Sequence, residues 1–344
     1  MRVSIVAPQS IALVNGGVKT QIHQTAKYLP DHGIELHYFS PWEDLSPTDV
    51  DLVHVFTANA GALEITNRLK DFDIPYVVSP VVFSNHKPDY IKRAIKVESL
   101  SKRIVSGVWT DYSIVAKVCS GAERVLPNTD EELGLLRDGF GIPDRKLEVV
   151  PNGVEKRFSN ADPTLFQTTY GLKNVVLFVG NLGAPRKNAL GLINAVAGTD
   201  IETVLIGKIY DNDYGRQCQN IAEKHSNIHV LGNLDHGSPM LESAYAAASV
   251  FALPSYFETP GIAAMEAALA GCRIVLTPFG GTKSYFGDMA IYPDPKSPES
   301  IRNTIQQALA EQAESGLKDH IERQFLWERV AEKTAAAYRK VLNG

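Results

Sequence analysis

Residues 249–277, SVFALPSYFETPGIAAMEAALAGCRIVLT, limit what this chain can fold into more than any other stretch. Val250, Phe251, Ala252 and Leu253 form a short apolar run that Pro254 stops, the pattern of a strand buried on both faces that empties into a loop. The loop ends at Glu258. Thr259 is a favourable N-cap and Pro260 suits a first helical position, where its missing N–H is not needed, so a helix is expected over 260–270. Gly271 is placed to close that helix in the left-handed conformation, and residues 273–276 supply the next strand. Such strand–loop–helix–strand units belong to parallel α/β sheets. Their ligands bind beyond the carboxyl ends of the strands, where free N–H groups at a helix start attract an anion, usually a phosphate.

Two carboxylates frame this helix start. Glu258 precedes the cap, whereas Glu266 lies about 9 Å further along the axis at 1.5 Å per residue. Carboxylates so separated do not readily share a proton and suit hydroxyls on two parts of one extended ligand, with phosphates between. Ala263, Ala264, Ala267, Ala268 and Ala270 leave the helix surface small and apolar, so a lone Glu at 266 needs a partner.

The same unit recurs along the chain. Residues 3–7 read as a strand, 8–17 as a loop, 18–29 as a helix and 34–39 as the next strand, with Gly16 and Gly17 at the helix entry, where bare backbone can approach a phosphate closely. Strand patterns follow at 52–56, 76–79, 124–126 and 147–150, which argues for a parallel sheet covered on both faces. The polar segment 154–170 has no clear period and reads as a linker and domain entry. Residues 175–179 open a second sheet, whose first loop, GNLGAPRKN, carries Arg186 and Lys187 ahead of a helix to Val196, with a strand over 201–207 after it. Basic side chains stand here where the first half has glycines, so phosphate could be held from both sides of a cleft.

A chain of 344 residues suffices for roughly two domains. The 34 basic side chains face 39 acidic ones, a net charge of −5, and neither half is a basic nucleic-acid binder. No apolar run approaches the ~20 residues of a membrane span, and MRVSIVAPQS does not read as a secretory signal. Cys119, Cys218 and Cys272 are odd in number and far apart, so reduced, mostly buried thiols of a cytoplasmic protein are expected, not a disulfide frame or zinc site. Between 87 and 103 six basic residues, Lys87, Lys92, Arg93, Lys96, Lys102 and Arg103, accompany Ile91, Ala94, Ile95 and Ile104 near helical spacing. Such a helix is either a solvated surface face or a contact for an anionic membrane surface.

Together these residues resemble glycosyltransferase family 4, the retaining nucleotide-sugar transferases of the GT-B fold. The resemblance rests on the glycine pair after the first strand, DLVHVF at 51–56, VVPNGVEKRF at 149–158, VGNLGAPRKN, NIHVLGNL at 227–234, the Glu258/Glu266 pair with seven residues between, and the closing FLWERVAEKTAAAYRKVL. It implies two Rossmann-like parallel-sheet domains facing a cleft, at 1–154 on the acceptor side and 155–325 on the nucleotide-sugar side, with a helix over 326–344 crossing back to the first.

The activity so implied is transfer of a sugar from a nucleoside diphosphate sugar to a glycan or lipid-linked acceptor, with retention, in cell-envelope polysaccharide or glycolipid synthesis. By the same resemblance Glu258 binds donor-sugar hydroxyls and Glu266 the ribose, while Lys187, Arg186, Gly16, Gly17 and the amides near Gly261 and Ile262 stabilise the departing diphosphate without a metal or other cofactor. The chain contains the Asp-x-Asp pairs Asp49/Asp51, Asp71/Asp73 and Asp211/Asp213 that metal-dependent glycosyltransferases use, and of these just the last is placed to meet a ligand. Two departures stand out. Asn181 occupies a position where the family usually has Arg, a loss of about 1.5–3 kcal/mol wherever that contact exists. The acceptor-side histidine has no counterpart before His86, and His54, inside a buried strand pattern, reads as structural. A non-catalytic nucleotide-sugar-binding regulatory protein and a sugar-nucleotide epimerase remain alternatives, and UDP, GDP and ADP donors are not distinguished. The protein is expected in the cytoplasm, with a peripheral contact at the inner membrane surface.

Overall fold

Short apolar runs followed by turn residues form ten parallel strands among the described residues, five in each of two sheets. The computed structural model describes residues 1–13, 16–101, 110–311 and 316–343. It divides into one unit of Met1–Gly153 with Trp327–Gly344 and a second of Val154–Leu326. In the first unit β1 (Arg2–Val6), β2 (Glu35–Tyr38), β3 (Leu52–Phe56), β4 (Tyr76–Ser79) and β5 (Arg124–Val125) lie in the order β2-β1-β3-β4-β5. In the second, β6 (Val175–Val179), β7 (Thr203–Ile206), β8 (Ile228–Gly232), β9 (Ala248–Leu253) and β10 (Arg273–Leu276) lie in the order β10-β9-β6-β7-β8. Both orders reverse direction once, between β1 and β3 and between β6 and β9. Loops leaving such a neighbouring pair diverge, and the crevice they leave is where α/β sheets bind ligands.

Helices cover the sheets, so the inner strands are buried on both faces, whereas the edge strand β2 is largely exposed. Val250, Phe251, Ala252 and Leu253 are buried, as are Val175 to Phe178 beside them, in register Val176 with Val250 and Leu177 with Phe251. Each such Val, Leu or Phe contributes about 1.5–3 kcal/mol by leaving water. The chain returns to the first unit through the helix Trp327–Leu342. Its buried residues Trp327, Val330, Ala331, Thr334, Ala335 and Tyr338 recur every three or four positions and pack on Val3, Leu52, Val77 and Val150. Trp327 lies so close to Gly153 that a Cβ there would come within 2.6 Å of the indole. Tyr338 bonds the Nδ1 side of His54 at 2.7 Å, and Ser79 Oγ bonds Nε2 at 2.9 Å. Burial pushes the His54 imidazole down to about 3, so this histidine is a neutral element of the core.

Several expectations need correction. Residues 147–150 form no strand: Leu147 makes one bridge to Val125, and the donors Glu148 and Val150 reach only Val125 and Pro127. Pro127 and Pro151 supply no N–H, so no ladder develops there. The segment 154–170 is not a plain linker. It contains the helix Thr164–Tyr170, whose single buried residue, Phe166, is too little to reveal a period, and a turn at Lys156–Asn160 that buries Phe158. The basic helix spans Pro88–Ser101, and Lys102, Arg103 and Ile104 lie outside the described residues. Its expected apolar face turns inward: Ile91 is buried and Ile95 packs on the core, leaving Tyr90, Val97 and Leu100 as its exposed apolar residues. Among the described residues no helix is long and apolar enough to cross a membrane. All three cysteines are free and buried.

Replacing Trp327 by Ala should destabilise the first unit by about 3–5 kcal/mol in urea unfolding, the loss typical of a buried aromatic. A loss below about 1 kcal/mol would mean that this side chain does not anchor the closing helix.

Candidate active site

The loops that follow β6 and β9 meet through one buried carboxylate. Lys187 Nζ (2.7 Å), Arg186 Nη1 (3.2 Å) and Ser255 Oγ (2.7 Å) all converge on Oε1 of Glu258, and none of these bonds is made to Oε2. Burial alone would lift the Glu258 carboxyl. The charges of Lys187 and Arg186, with hydrogen bonds from Lys187 and Ser255, outweigh it and hold the group below its ordinary value of 4.5. Glu258 is therefore an anion at neutral pH.

The loops are stapled to keep this pairing. Arg186 Nη1 also donates to Phe257 O (2.8 Å), and Tyr256 N donates to Arg186 O (2.9 Å). Asn188, buried and left-handed at φ 55°, sends Nδ2 to Pro254 O (2.9 Å) and Pro295 O (2.7 Å). Asn is one of the few residues other than Gly that adopts this conformation readily. Glu258 itself is held by its main chain, donating to Phe279 O (3.0 Å) and accepting from Gly281 N (2.8 Å). Gly280, between those two partners, has φ +102°, and a Cβ on it would sit 2.0 Å from Glu258 O. Only glycine fits there.

The next helix starts later than the sequence suggests. It spans Ile262–Leu269, and its N-cap is Gly261 at φ 85°, not Thr259. A residue in the left-handed region cannot continue a right-handed helix backwards, so Thr259 and Pro260 belong to the approach loop. The first amides to find partners at Gly261 O are Ala264 N (2.9 Å) and Met265 N (3.3 Å). Those of Ile262 and Ala263 come before any intrahelical bond and are available to an anion. Glu266 is buried one turn further on. Its Oε2 accepts from Tyr245 OH (2.7 Å) and its Oε1 is bonded to His236 Nε2 (2.6 Å).

The structure thus gathers Lys187, Arg186, Glu258, Gly261, Ile262 and Glu266 in the second unit, around the carboxyl ends of β6 and β9. Asn181 stands at the start of the same first loop, where its Oδ1 accepts from Gly183 N (3.1 Å) and shapes a turn. Gly16, Gly17 and His86 belong to the first unit. Gly16 is extended at φ 170° with open space around a Cβ, so the fold itself does not demand glycine there. His86 is exposed and stacks on Tyr90, ring centroids 4.2 Å apart. Asp211 and Asp213 are exposed partners of Arg216, and no group of three or more metal-ligating side chains is clustered among the described residues. Sequence reasoning passed over Ser255, Asn188, Tyr245 and His236. An Asn directly after Arg186–Lys187 at a turn was a usable signal; nothing in the pattern around His236 marked it.

Comparison with known proteins bears on the family and the fold. Residues 166–324 match the family model described as glycosyl transferases group 1, and residues 42–158 match glycosyltransferase family 4. A D-inositol 3-phosphate glycosyltransferase of Kribbella flavida is 28% identical over 259 residues, 65% of this chain and 58% of that protein. The O-antigen chain mannosyltransferase B of Escherichia coli is 28% identical over 191 residues, 52% of this chain and 49% of that protein. The chain therefore spans only about half to three fifths of the length of these curated relatives. Among solved structures, a sucrose-phosphate synthase from Thermosynechococcus elongatus superposes with a TM-score of 0.78 at 15% identity, covering 99% of each chain. Anabaena HepE in complex with UDP and glucose gives 0.72 at 17% identity, covering 98% of each. At those identities the likeness is one of fold.

Because the carboxyl of Glu258 is held below its ordinary value, its stabilising contribution is present above about pH 4.5 and is lost as pH falls through the lowered value. Lys187→Met removes one of the two cations and raises that value, so the melting temperature of the variant should begin to fall at a higher pH than the wild type's between about pH 6 and 3. Parallel melting curves over that range would show that Lys187 does not hold the carboxylate.

Proposed function

Because the chain belongs to the group 1 glycosyl transferases of the GT-B fold, we propose that it transfers a sugar, with retention, from a nucleoside diphosphate sugar to a glycan or lipid-linked acceptor in cell-envelope polysaccharide or glycolipid synthesis. One observation carries the reading: Glu258, beneath Lys187 and Arg186, opens a helix start at the reversal point of the sheet, with Glu266 buried on the same helix. The donor sugar's hydroxyls bind the Oε2 side of Glu258. Its diphosphate lies against Lys187, Arg186 and the amides of Gly261, Ile262 and Ala263, and its ribose reaches Glu266.

The chemistry follows from where charge develops. As the bond from C1 to the diphosphate oxygen breaks, its electron pair stays on that oxygen, and fixed cations and amide dipoles stabilise the growing charge without reorganisation. The acceptor hydroxyl bonds to C1 from the side of the departing group, and its proton passes to the departing phosphate oxygen. No carboxylate is required as a nucleophile and no metal as an electrophile. Gly16 and Gly17 join the donor side, and His86 the acceptor side, on family resemblance alone. Asn181 contributes a neutral turn where a charged fork is usual, a place for Arg186 to compensate. The mannosyltransferase and the HepE complexes with UDP and UDP-glucose support this substrate class.

We place the protein in the cytoplasm, at the inner membrane surface, through the exposed Tyr90, Val97 and Leu100 interleaved with Lys92, Arg93 and Lys96. Vesicles of anionic lipid should bind the protein at low salt and release it as salt rises, and Val97→Glu with Leu100→Glu should abolish binding; equal binding by neutral vesicles would contradict this placement.

A donor at about a hundred times its dissociation constant should add roughly 2.7 kcal/mol to the folded state. Thermal unfolding with UDP-, GDP- and ADP-sugars should single out one base family for the wild type and none for Glu266→Ala. Lys187→Ala should keep the fold and lose about 10²–10³-fold in turnover, the loss typical of one preorganised electrostatic contact. Donor binding with no transfer to any acceptor or water would instead favour a non-catalytic binding protein, and product from donor alone an epimerase.

A further inference from the structure

Glu266 is covered by a side chain that the donor-site reading does not use. The carboxylate side chain is 5% exposed and the His236 imidazole over it 46%. Tyr245, the other partner, is fully buried, and its hydroxyl is held protonated by burial and by the neighbouring carboxylate. Of the two groups on Glu266, only the imidazole stands between the carboxylate and solvent.

The surroundings fix the backbone of His236 and leave its ring to choose. His236 O accepts from Arg157 Nη2, so the turn between β8 and the helix Pro239–Ala247 is anchored. Arg157 in turn pairs with Glu242 on that helix and with Glu155, and lies over Phe158 at 4.2 Å. A carboxylate only accepts, so Nε2 carries a proton against Glu266 in either charge state. Nδ1 is the titrating atom. It lies 3.5 Å from Arg157 Nη2, a donor, and 3.7 Å from Glu155 Oε2, an acceptor. The charged groups against the ring are Glu266 from one helix, Glu155 just before the turn at Lys156–Asn160 and Arg157 within it; behind them Glu242 pairs with Arg157 and Tyr245 with Glu266, and Asp235 is the neighbour in the chain. Two carboxylates, Glu266 and Glu155, thus act on the ring against one guanidinium. The bond to Glu266 is the largest influence on the imidazole and, against burial and Arg157, raises it above its ordinary value of 6.5.

We infer that the His236 imidazole and a donor's ribose hydroxyls are alternative partners of Glu266, so that protonating His236 weakens donor binding. This rests on the reading of Glu266 as the ribose carboxylate. Neutral imidazole and ribose hydroxyls both give the Glu266 carboxylate a hydrogen bond from an uncharged donor, so one can replace the other; imidazolium adds the attraction of an ion pair, which the hydroxyls do not match. His236 is thus a positioning residue that makes donor affinity depend on pH, with no contact to the reacting atoms.

The test is titration calorimetry of the whole chain with UDP-glucose, GDP-mannose and ADP-glucose, whose diphosphates stay ionised throughout, at pH 5.5, 7 and 8.5. The probe that binds should bind roughly tenfold more weakly at pH 5.5 than at 8.5, and its binding should release protons. His236→Gln keeps an amide donor toward Glu266 without a titrating charge. It should bind with one affinity at all three pH values, close to the wild type's at pH 8.5. Glu132, buried in the first unit and pushed up to about 7 by burial, titrates in the same window, so the variant decides the assignment. A wild-type affinity independent of pH, or a pH dependence that survives in His236→Gln, overturns the inference while leaving the donor site intact. Binding unaffected by Glu266→Ala, or no binding by any of the three at pH 8.5, overturns the donor-site reading and the inference with it.

Discussion

The second unit depends on the burial of one negative charge. A carboxylate removed from water is costly unless paired and hydrogen-bonded, and Glu258 meets both conditions through Lys187, Arg186 and Ser255. The pairing joins the loop after β6 to the loop after β9, across the point where the strand order reverses. Other features serve it. Asn188 ties its loop to Pro254 and Pro295, and Gly280 admits the main chain of Glu258 at a distance no side chain allows. Removing one cation would leave the carboxylate half-compensated, and so the site is preorganised by the same contacts that stabilise the loops.

The two carboxylates of the site differ because their neighbours differ. Glu258 faces cations and is a fixed anion, with one oxygen fully committed. Glu266 faces a buried phenol and an exposed imidazole, partners of about the strength that sugar hydroxyls supply. The alanine-rich helix that carries Glu266 packs closely: Ala264, Ala267 and Ala268 are buried. Larger side chains there would lift the helix start, with its free amides, away from β9. Small residues, one left-handed glycine and two carboxylates are thus parts of one arrangement.

Much of this was legible from the chain because it follows from local rules. Buried parallel strands read as continuous apolar runs, and residues 52–56, 76–79, 175–179 and 273–276 fall where those runs lie. Glu258 and Glu266 were conspicuous for their setting, a strand stopped by Pro254 and a helix surface of alanine. What escaped depends on contacts distant in sequence. The helix starts later because Gly261 is left-handed, a conformation that glycine permits and that a capping preference for Thr259 does not report. Ile91 and Ile95 turned inward, and only the neighbouring core says so. His236 lies thirty residues from Glu266, in a polar loop with no period, and its role is visible only once the chain is folded.

Hydrogen–deuterium exchange with and without the nucleotide sugar that stabilises the chain tests the central claim most directly. Donor binding between the loops after β6 and β9 should slow exchange in residues 180–188 and 254–266 and leave β7, β8 and the helix Pro298–Ala310 unchanged. Protection elsewhere in the second unit, with those two segments unaffected, would contradict the assignment of this site.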